Sequence, residues 1–267
     1  MDGKLFFLNN LIGQNITLEY LNQIFCIACG RPTKKSFQQG YCFPCTQRLA
    51  QCDLCIVKPE RCHYHLGTCR EPQWGEKHCF QNHIIYLANS SGIKVGITKE
   101  KNIPTRWIDQ GATQALAIFK VPTRKISGLI EILLAQYISD KTDWRKMLKG
   151  SPPEVDLIAY KNKLLTQIAE PLETLADQYP QESENIKKIE CLDLEGHNTA
   201  NPNQIQEIYY PVLKYPEKIH SLSFEKTPVI NGVLLGIKGQ YLILDIGVLN
   251  IRNMAGYQIK LTTTQPA

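Results

Sequence analysis

The sequence predicts an α+β protein that consists of four consecutive segments. Three observations lead to this prediction: a cysteine-rich stretch early in the chain, a mixture of strand-like and helix-like apolar runs in the middle, and short apolar runs that end in glycine towards its end. A stretch with the spacing of an amphipathic helix lies between the last two. We place the segments at residues 1–82, 83–149, 150–195 and 196–267.

The composition of the 267-residue chain is typical of a globular protein. Hydrophobic residues make up 43% and charged residues 21%, and no apolar run approaches the ~20 residues that a membrane-spanning helix needs. The first residues, MDGKLFFLNNLIGQN, place one basic residue ahead of a short apolar run and offer no small-residue cleavage site, so no secretory signal is predicted. We therefore expect a cytoplasmic protein without a membrane partner.

The cysteines of the first segment predict metal binding. Residues 26–79 hold nine of the ten cysteines, and six of these form the C-x-x-C pairs CIAC, CFPC and CDLC. Each pair lets two thiolates reach one tetrahedral zinc ion from a tight turn. Disulfides are typical of secreted chains, a thioredoxin-like site has one pair beside a βαβ unit, and a zinc deaminase needs an H-x-E motif that this sequence lacks. The segment is therefore predicted to be zinc-ribbon-like.

The cysteine spacing predicts two structural zinc ions. The twelve residues between Cys29 and Cys42 are typical of a zinc ribbon. We assign the first ion to Cys26, Cys29, Cys42 and Cys45. We assign the second to Cys52 and Cys55 together with two of Cys62, His65, Cys69 and Cys79. A cross-braced arrangement, in which alternate pairs share an ion, is the alternative.

The second segment is predicted to be a small α+β domain. IIYLA (84–88) and IKVGIT (93–98) are β-rich runs separated by a polar turn, which is a hairpin signal. A short helix is expected over residues 105–110 and a third strand over ALAIFKV (115–121). Residues 124–140 have apolar side chains at helical spacing. The predicted order is β-β-α-β-α.

The remaining segments are predicted to differ in structure. VDLIAYKNKLLTQIA, in the third segment, is an amphipathic helix that we expect to be interrupted at Pro171. GHNTANPNQ (196–204) has the composition of a linker or exposed loop. TPVINGVLLGIKGQYLILDIGVLNI predicts a small sheet or barrel. Residues 1–22 are expected to form a short strand or hairpin that leads into the cysteine-rich region.

Charge is distributed unevenly along the chain. Residues 81–150 carry eleven Lys and Arg against five Asp and Glu, whereas residues 151–267 carry ten against fourteen. The basic stretch predicts either a groove for nucleic acid or a solvated face, and the acidic stretch predicts a contact with the central domain or a protein partner. Candidate residues for nucleic-acid binding are Lys99, Lys101, Trp107, Lys120, Arg124, Lys125 and Arg145.

Four short motifs in the second segment resemble those of a known superfamily. They are IIY at 84–86, KVG at 94–96, Arg106, and Glu131 within GLIEILLAQYI. Together they resemble the GIY-YIG endonuclease superfamily over residues 83–149, and in particular variants whose second motif reads K-I-G. The sequence departs from that pattern at Ile84, where the superfamily has glycine, and at Gln110, where it often has histidine. The whole chain also looks like a bacterial family, domain of unknown function 2797, which implies no activity.

The GIY-YIG resemblance implies phosphodiester cleavage that depends on Mg²⁺. It implies that Tyr86 is a general base or positions the water, with the ammonium of Lys94 lowering a phenol pKa that is normally ~10. Arg106 would bind the phosphate with its planar guanidinium, and Glu131 would hold one Mg²⁺. The alternatives are a catalytically inactive DNA- or RNA-binding protein and a zinc-stabilised adaptor for protein interactions.

Overall fold

A computed structural model gives the structure of the protein and describes residues 7–187, 189–191 and 204–263. The described residues form ten strands and seven α-helices, joined by short turns of 3-10 helix. The strands are β1 (Asn15–Ile24), β2 (His83–Asn89), β3 (Ile93–Lys99), β4 (Gln114–Val121), β5 (Glu190–Cys191), β6 (Gln206–Glu207), β7 (Val229–Lys238), β8 (Tyr241–Leu244), β9 (Gly247–Asn250) and β10 (Tyr257–Thr263). The helices are α1 (Phe43–Arg48), α2 (Pro72–Cys79), α3 (Thr105–Asp109), α4 (Arg124–Ala135), α5 (Trp144–Met147), α6 (Leu157–Gln178) and α7 (Ser183–Lys187).

The chain divides into two compact units, and each unit draws on separate stretches of sequence. The first comprises the described parts of Met1–Gln47, Leu148–Gly150 and Tyr209–Ala267, and the second comprises those of Arg48–Met147 and Ser151–Ile208. The four segments predicted from the sequence are consecutive, whereas each compact unit combines separate stretches of the chain. The boundaries of the four segments stay a prediction. The mixture of helices with two antiparallel sheets confirms the α+β class.

The first unit contains an antiparallel sheet with the strand order β10-β1-β7-β8-β9. Leu18 of β1 pairs with Ile230 of β7 on one side and with Leu261 of β10 on the other. The alternating side chains Ile16 and Leu18 are buried in the core of this unit, so β1 supplies apolar surface that the C-terminal strands cover. The predicted N-terminal strand is therefore present, but its neighbours come from the other end of the sequence. Of the two predicted C-terminal architectures, the sheet is the one observed in the described residues.

The second unit contains the sheet β3-β2-β4-β5, with β6 also paired to β4. The hairpin of β2 and β3, the short helix α3, the strand β4 and the helix α4 follow one another as the sequence predicted. β2 is central, and Tyr86 lies opposite Gly96 of β3 and Ala117 of β4. Every residue of β2 is buried, which places its polar side chains inside the unit.

Two helices of the second unit contribute to the core that includes β2 and β4. Ile126 and Ile130 of α4 are fully buried, and Leu164 and Ile168 of α6 belong to the same cluster. The sequence predicted an interruption at Pro171, but α6 continues through this residue to Gln178. Pro171 removes one backbone hydrogen-bond donor from the helix. The packing of Ile168 and Leu175, which lie on either side of it, into the core compensates for this loss.

None of the helices in the described part of the chain combines the length and the apolarity that a membrane crossing requires. Most of the predicted loop GHNTANPNQ, residues 196–203, lies outside the described residues.

Candidate functional site

The first cysteine cluster consists of the four thiols that the sequence assigned to the first zinc ion. The Sγ atoms of Cys26, Cys29, Cys42 and Cys45 all lie within 4.8 Å of one another, and those of Cys29 and Cys42 are 3.7 Å apart. Tetrahedral zinc with bonds of ~2.3 Å to sulfur needs thiolates at about this separation. The first cysteine cluster, defined by these four residues, could therefore hold zinc.

A tight turn presents the first pair of these thiols. The amide of Gly30 donates to the carbonyl of Cys26 at 2.8 Å, and the amide of Cys26 donates to the carbonyl of Arg31 at 2.9 Å. Gly30 has φ +70°, a value that suits glycine. Burial opposes ionisation of Cys26, but backbone hydrogen bonds from Cys42, Cys29 and Ala28 lower its pKa to about 6. This turn therefore favours the thiolate that binds metal.

A second group of cysteines surrounds a small cavity in the second unit. Four thiol residues line it: Cys55, Cys62, Cys69 and Cys79. Cys52 is buried but does not line the cavity, and His65 is exposed. The structure thus does not bring these two predicted ligands to the cavity. It adds Asp53 and His63, which the sequence prediction omitted and whose ligand atoms lie within 4.8 Å of each other and of the Cys55 thiol. These three residues could also hold zinc.

Asp53 and His63 are engaged by other side chains. The carboxylate of Asp53 accepts from the Cys55 amide at 3.2 Å and pairs with the Arg70 guanidinium at 2.7 Å. Nε2 of His63 lies 3.4 Å from Asp53, and its Nδ1 lies 2.7 Å from the Thr68 hydroxyl. Burial would raise the pKa of Asp53, but the Cys55 amide, His63 and Arg70 lower it below its ordinary value. Asp53 is therefore held as an ionised partner of Arg70.

The turns around this second cavity pack directly against α4. The guanidinium of Arg124 donates a hydrogen bond to the carbonyl of Ile56. Gly128 lies one turn further along α4, and a Cβ atom added there would be 2.6 Å from Cβ of Pro59 and 2.8 Å from the amide nitrogen of Glu60. Only glycine permits this approach, because such distances are shorter than a real Cβ contact. The cysteine-rich turns and α4 therefore form one packed structure.

The four residues that the resemblance implied converge from four elements of the second unit. Tyr86 lies on β2, Lys94 on β3, Arg106 on α3 and Glu131 on α4. The charges of Arg106 and Glu131 shift the pKa values of both the Tyr86 phenol and the Lys94 ammonium. Tyr86 and Lys94 are buried. We call this set of four residues the charged site.

The position of the Tyr86 hydroxyl depends on two residues beside it. A Cβ atom added at Gly96 would lie 2.7 Å from the Tyr86 hydroxyl, so the glycine of KVG makes room for the phenol of the opposite strand. The side-chain amide of Gln110 donates to the same hydroxyl at 2.6 Å. The sequence identified Gln110 only as a departure from the superfamily pattern, and the structure gives it a direct contact with Tyr86.

The pKa values within the charged site differ from the sequence-based expectation. Burial raises the pKa of Tyr86 to about 12, and the Arg106 charge and the Gln110 hydrogen bond oppose this shift only in part. The expectation of a lowered Tyr86 pKa is therefore wrong. Burial and the charge of Arg106 lower the pKa of Lys94 to about 8. Burial and the charge of Asp140 raise the pKa of Glu131 to about 7.

Asp140 is a neighbour of the charged site that the sequence did not identify. Its charge raises the pKa values of both Glu131 and Lys94. Asp140 follows α4 by several residues and lies in no recognisable motif, so nothing in the sequence indicates this proximity. Trp107 is also next to the site, with its ring 5.8 Å from that of Tyr86 at 63°. Trp107 is 1% exposed, so its ring is not presented at the surface, where an unpaired base could stack on it.

The other candidate residues for nucleic-acid binding have varied surroundings. Lys120 pairs with Glu100 at 3.1 Å, and Lys125 pairs with Glu182 at 3.3 Å. Lys101 and Arg145 are exposed, whereas Lys99 and Arg124 are half-buried. The basic stretch is therefore partly used in ion pairs and in the packing of α4, and its proposed contact with nucleic acid stays a prediction.

The chain belongs to a family that is described as "Protein of unknown function (DUF2797)", whose sequence model matches residues 13–259. The match includes the first cysteine cluster, the second cavity and the charged site. None of the curated proteins and none of the solved structures matches the chain.

Proposed function

We propose that the charged site binds the phosphodiester backbone of DNA or RNA and cleaves it in the presence of Mg²⁺, in a protein whose first cysteine cluster holds a structural zinc ion. One observation carries the proposal: Tyr86, Lys94, Arg106 and Glu131 come from four separate elements and act electrostatically on one another. Their proximity, together with the resemblance of the motifs to the GIY-YIG superfamily, supports a common chemical task.

Cations at the charged site suit a phosphate group. Arg106 presents a planar set of donors that matches the oxygens of a phosphodiester. The Lys94 ammonium is buried, and Coulomb interactions are stronger in such surroundings than in water. Binding of an anion beside Lys94 would restore the charged form that burial disfavours. Substrate and Lys94 would thus stabilise each other.

Glu131 of the charged site and its neighbour Asp140 suit a divalent cation. Burial and the charge of Asp140 raise the pKa of Glu131 to about 7, which shows that the Asp140 carboxylate lies near that of Glu131. Oxygen ligands of this kind, completed by water and substrate oxygens, are the ones Mg²⁺ prefers. Glu131, together with Asp140, would hold the ion, which supplies polarisation of the phosphoryl oxygen and of a bound water.

Tyr86 would act as a neutral phenol. A pKa of about 12 leaves its proton in place near neutral pH, so it does not accept a proton from water in the ground state. With Gln110 donating to its oxygen at 2.6 Å, the phenol O–H is directed away from that amide and can donate to a water or a phosphate oxygen. Tyr86 therefore orients the reacting group.

Cleavage of labelled single-stranded DNA, double-stranded DNA and structured RNA with Mg²⁺ tests the proposal. We expect the parent to cleave at least one substrate and Glu131→Gln to lose about 100-fold or more of that activity while binding persists. Glu173→Gln, which changes an exposed carboxylate of the same unit, is the matched control and should keep full activity.

Binding measurements separate the proposal from its alternatives. Arg106→Ala should weaken binding, and Arg106→Lys should restore it only in part because lysine lacks the planar fork. Binding that falls steeply with salt, without any cleavage, would favour an inactive DNA- or RNA-binding protein. Absence of both binding and cleavage would reject the phosphodiester proposal and leave the zinc-stabilised adaptor, with its acidic C-terminal region as the expected contact for a protein partner.

A further inference from the structure

The second cavity is lined by four of the six residues among which the sequence placed the ligands of a second zinc ion. Four cysteines line one small space together with apolar side chains, among them Ile56, Trp74 and Phe80. Four thiols that line one apolar-walled space are the donor set of a structural zinc site.

Asp53 and His63 are better suited to support such a site than to ligate its ion. Asp53 already accepts a charge-assisted hydrogen bond from Arg70 at 2.7 Å, which a zinc ion on its carboxylate would have to disrupt. Nε2 of His63 faces this carboxylate at 3.4 Å. Carboxylate, histidine and backbone contacts of this kind commonly hold the residues that surround a metal centre.

Basic side chains beside the cavity match the charge that four thiolates would bring. Zinc with four thiolate ligands carries a net charge of about −2. The charges of Arg124 and Lys99 both act on Cys79, and that of Arg124 also acts on Cys55. The energetic cost of burying the Arg124 charge is therefore offset if the nearby cysteines are thiolates around a metal ion.

We propose that Cys55, Cys62, Cys69 and Cys79 form a second zinc centre, and that this centre holds the turns against which α4 packs. Within the described residues, three or more donor atoms lie within 4.8 Å of one another only in the first cysteine cluster and in the Asp53, Cys55 and His63 group. The proposal therefore requires the thiols of Cys62, Cys69 and Cys79 to move towards Cys55 when the metal binds. The inference concerns a metal site outside the charged site and does not depend on phosphodiester cleavage.

The second zinc centre would fix the position of Glu131, because the turns between its ligands pack against α4, which carries this residue. Ile56 follows the ligand Cys55 and accepts a hydrogen bond from Arg124 at the start of α4. Pro59 and Glu60 lie between the ligands Cys55 and Cys62, and their backbone leaves no space for a side chain at position 128. Loss of the metal therefore releases the turns that fix α4, and Glu131 is carried on this helix.

Zinc content of the purified full chain tests the ligand set. The parent should hold about two zinc ions per chain, and Cys62→Ser, Cys69→Ser or Cys79→Ser should each hold about one. Cys52→Ala and His65→Gln are the matched controls, because neither residue lines the cavity, and both variants should keep about two. The zinc of the first cysteine cluster reports that each variant has folded there.

His63→Gln distinguishes the two possible ligand sets. We expect this variant to keep about two zinc ions. If His63→Gln and Asp53→Asn lose one ion while Cys62→Ser and Cys69→Ser keep both, the ligands are Asp53, Cys55 and His63 and the four-thiolate centre is rejected. A parent chain with about one ion, which Cys26→Ser removes, would also overturn the proposal.

Alkylation of the parent protein tests the same centre without a substitution. Peptide mass spectrometry should find Cys55, Cys62, Cys69 and Cys79 protected until a chelator removes zinc, after which all four should react together. The exposed Cys191 should react at once in either condition and serves as the internal reference. Independent reaction of the four cysteines before zinc is removed would reject a shared ion, whatever the result of the cleavage assay.

Discussion

The two cysteine-rich regions of this protein differ in how their geometry arises. In the first cysteine cluster, two C-x-x-C pairs bring four thiols within 4.8 Å of one another. Around the second cavity, four cysteines separated by longer stretches line a common space, and their surroundings include Asp53, His63 and the helix α4. Paired spacing therefore specifies a ligand set locally, whereas longer spacing leaves the choice of ligands to tertiary packing.

This difference has a consequence for what each region supports. The first cysteine cluster belongs to the first compact unit, and the second cavity belongs to the unit that contains the charged site. We therefore expect metal loss at the second cavity to disturb α4 and Glu131, and metal loss at the first cluster to act within its own unit.

Amide hydrogen exchange should show the largest difference between the effects of metal loss at the two cysteine-rich regions. Cys69→Ser should raise exchange rates in α4 by about 100-fold or more, because the turns that hold this helix lose their metal. Cys29→Ser should raise exchange over residues 25–41 and leave α4 near its parent rates. Equal effects of both variants on α4 would contradict the comparison.

A buried histidine should make the second unit sensitive to acid. His83 is fully buried, and Nε2 has no hydrogen-bond partner among the described residues. Burial lowers its pKa to about 4 from the ordinary 6.5, so the unfolded state binds more protons between these values. Stability should therefore fall as pH drops from about 6.5 to about 4, by about 2–3 kcal/mol at most.

Denaturant unfolding of the parent and of His83→Leu across this pH range measures the effect. The variant has no imidazole to protonate, so its stability should depend less on pH even if its stability at pH 7 is lower. Zinc loss in acid affects both proteins and cancels in the difference between them. Identical pH profiles would show that His83 does not contribute.

Gly128→Ala should weaken the contact between α4 and the cysteine-rich turns. The added methyl would lie 2.6 Å from Cβ of Pro59, and we expect overpacking to destabilise the protein by about 1–3 kcal/mol despite the better helix propensity of alanine. Thermal unfolding measures this change. Ala135→Ser adds one heavy atom at an exposed position of the same helix and should change stability much less.

An ion pair of the second unit should give the smallest effect. Lys120 pairs with Glu100 at 3.1 Å, and both side chains are partly exposed to solvent. Lys120→Gln should therefore change the free energy of unfolding by less than about 1 kcal/mol. The result provides a baseline for the other variants, and a larger loss would assign Lys120 a structural role that its exposure does not indicate.

The sequence predicted local elements better than their partners. The β-rich runs IIYLA and IKVGIT, with a polar turn between them, predicted β2 and β3, and the short helix expected over residues 105–110 corresponds to α3. The pairing of β1 with β7 and β10 could not be predicted, because the partner strands lie about 200 residues away and sequence periodicity does not identify a neighbour. The continuation of α6 through Pro171 depends on packing that propensity does not include.

The candidate site shows the same limit. The motifs identified Tyr86, Lys94, Arg106 and Glu131 before their convergence was known. Asp140 and the contact between Gln110 and Tyr86 depend on tertiary structure, and so does the burial that raises the pKa of Tyr86 to about 12. Likewise, Asp53 and His63 lie within the cysteine-rich stretch but have no spacing that predicts their position beside Cys55.

The place of β1 between β7 and β10 constrains the order of events during translation. Residues 15–24 emerge from the ribosome well before the strands on both sides of them, which begin at Val229 and Tyr257. Residues 48–147 and 151–208, whose described parts form the second unit, are available before either strand is made. The second unit can therefore fold on the nascent chain, while the apolar side of β1 waits for β7 and β10 and is a target for chaperones until they arrive.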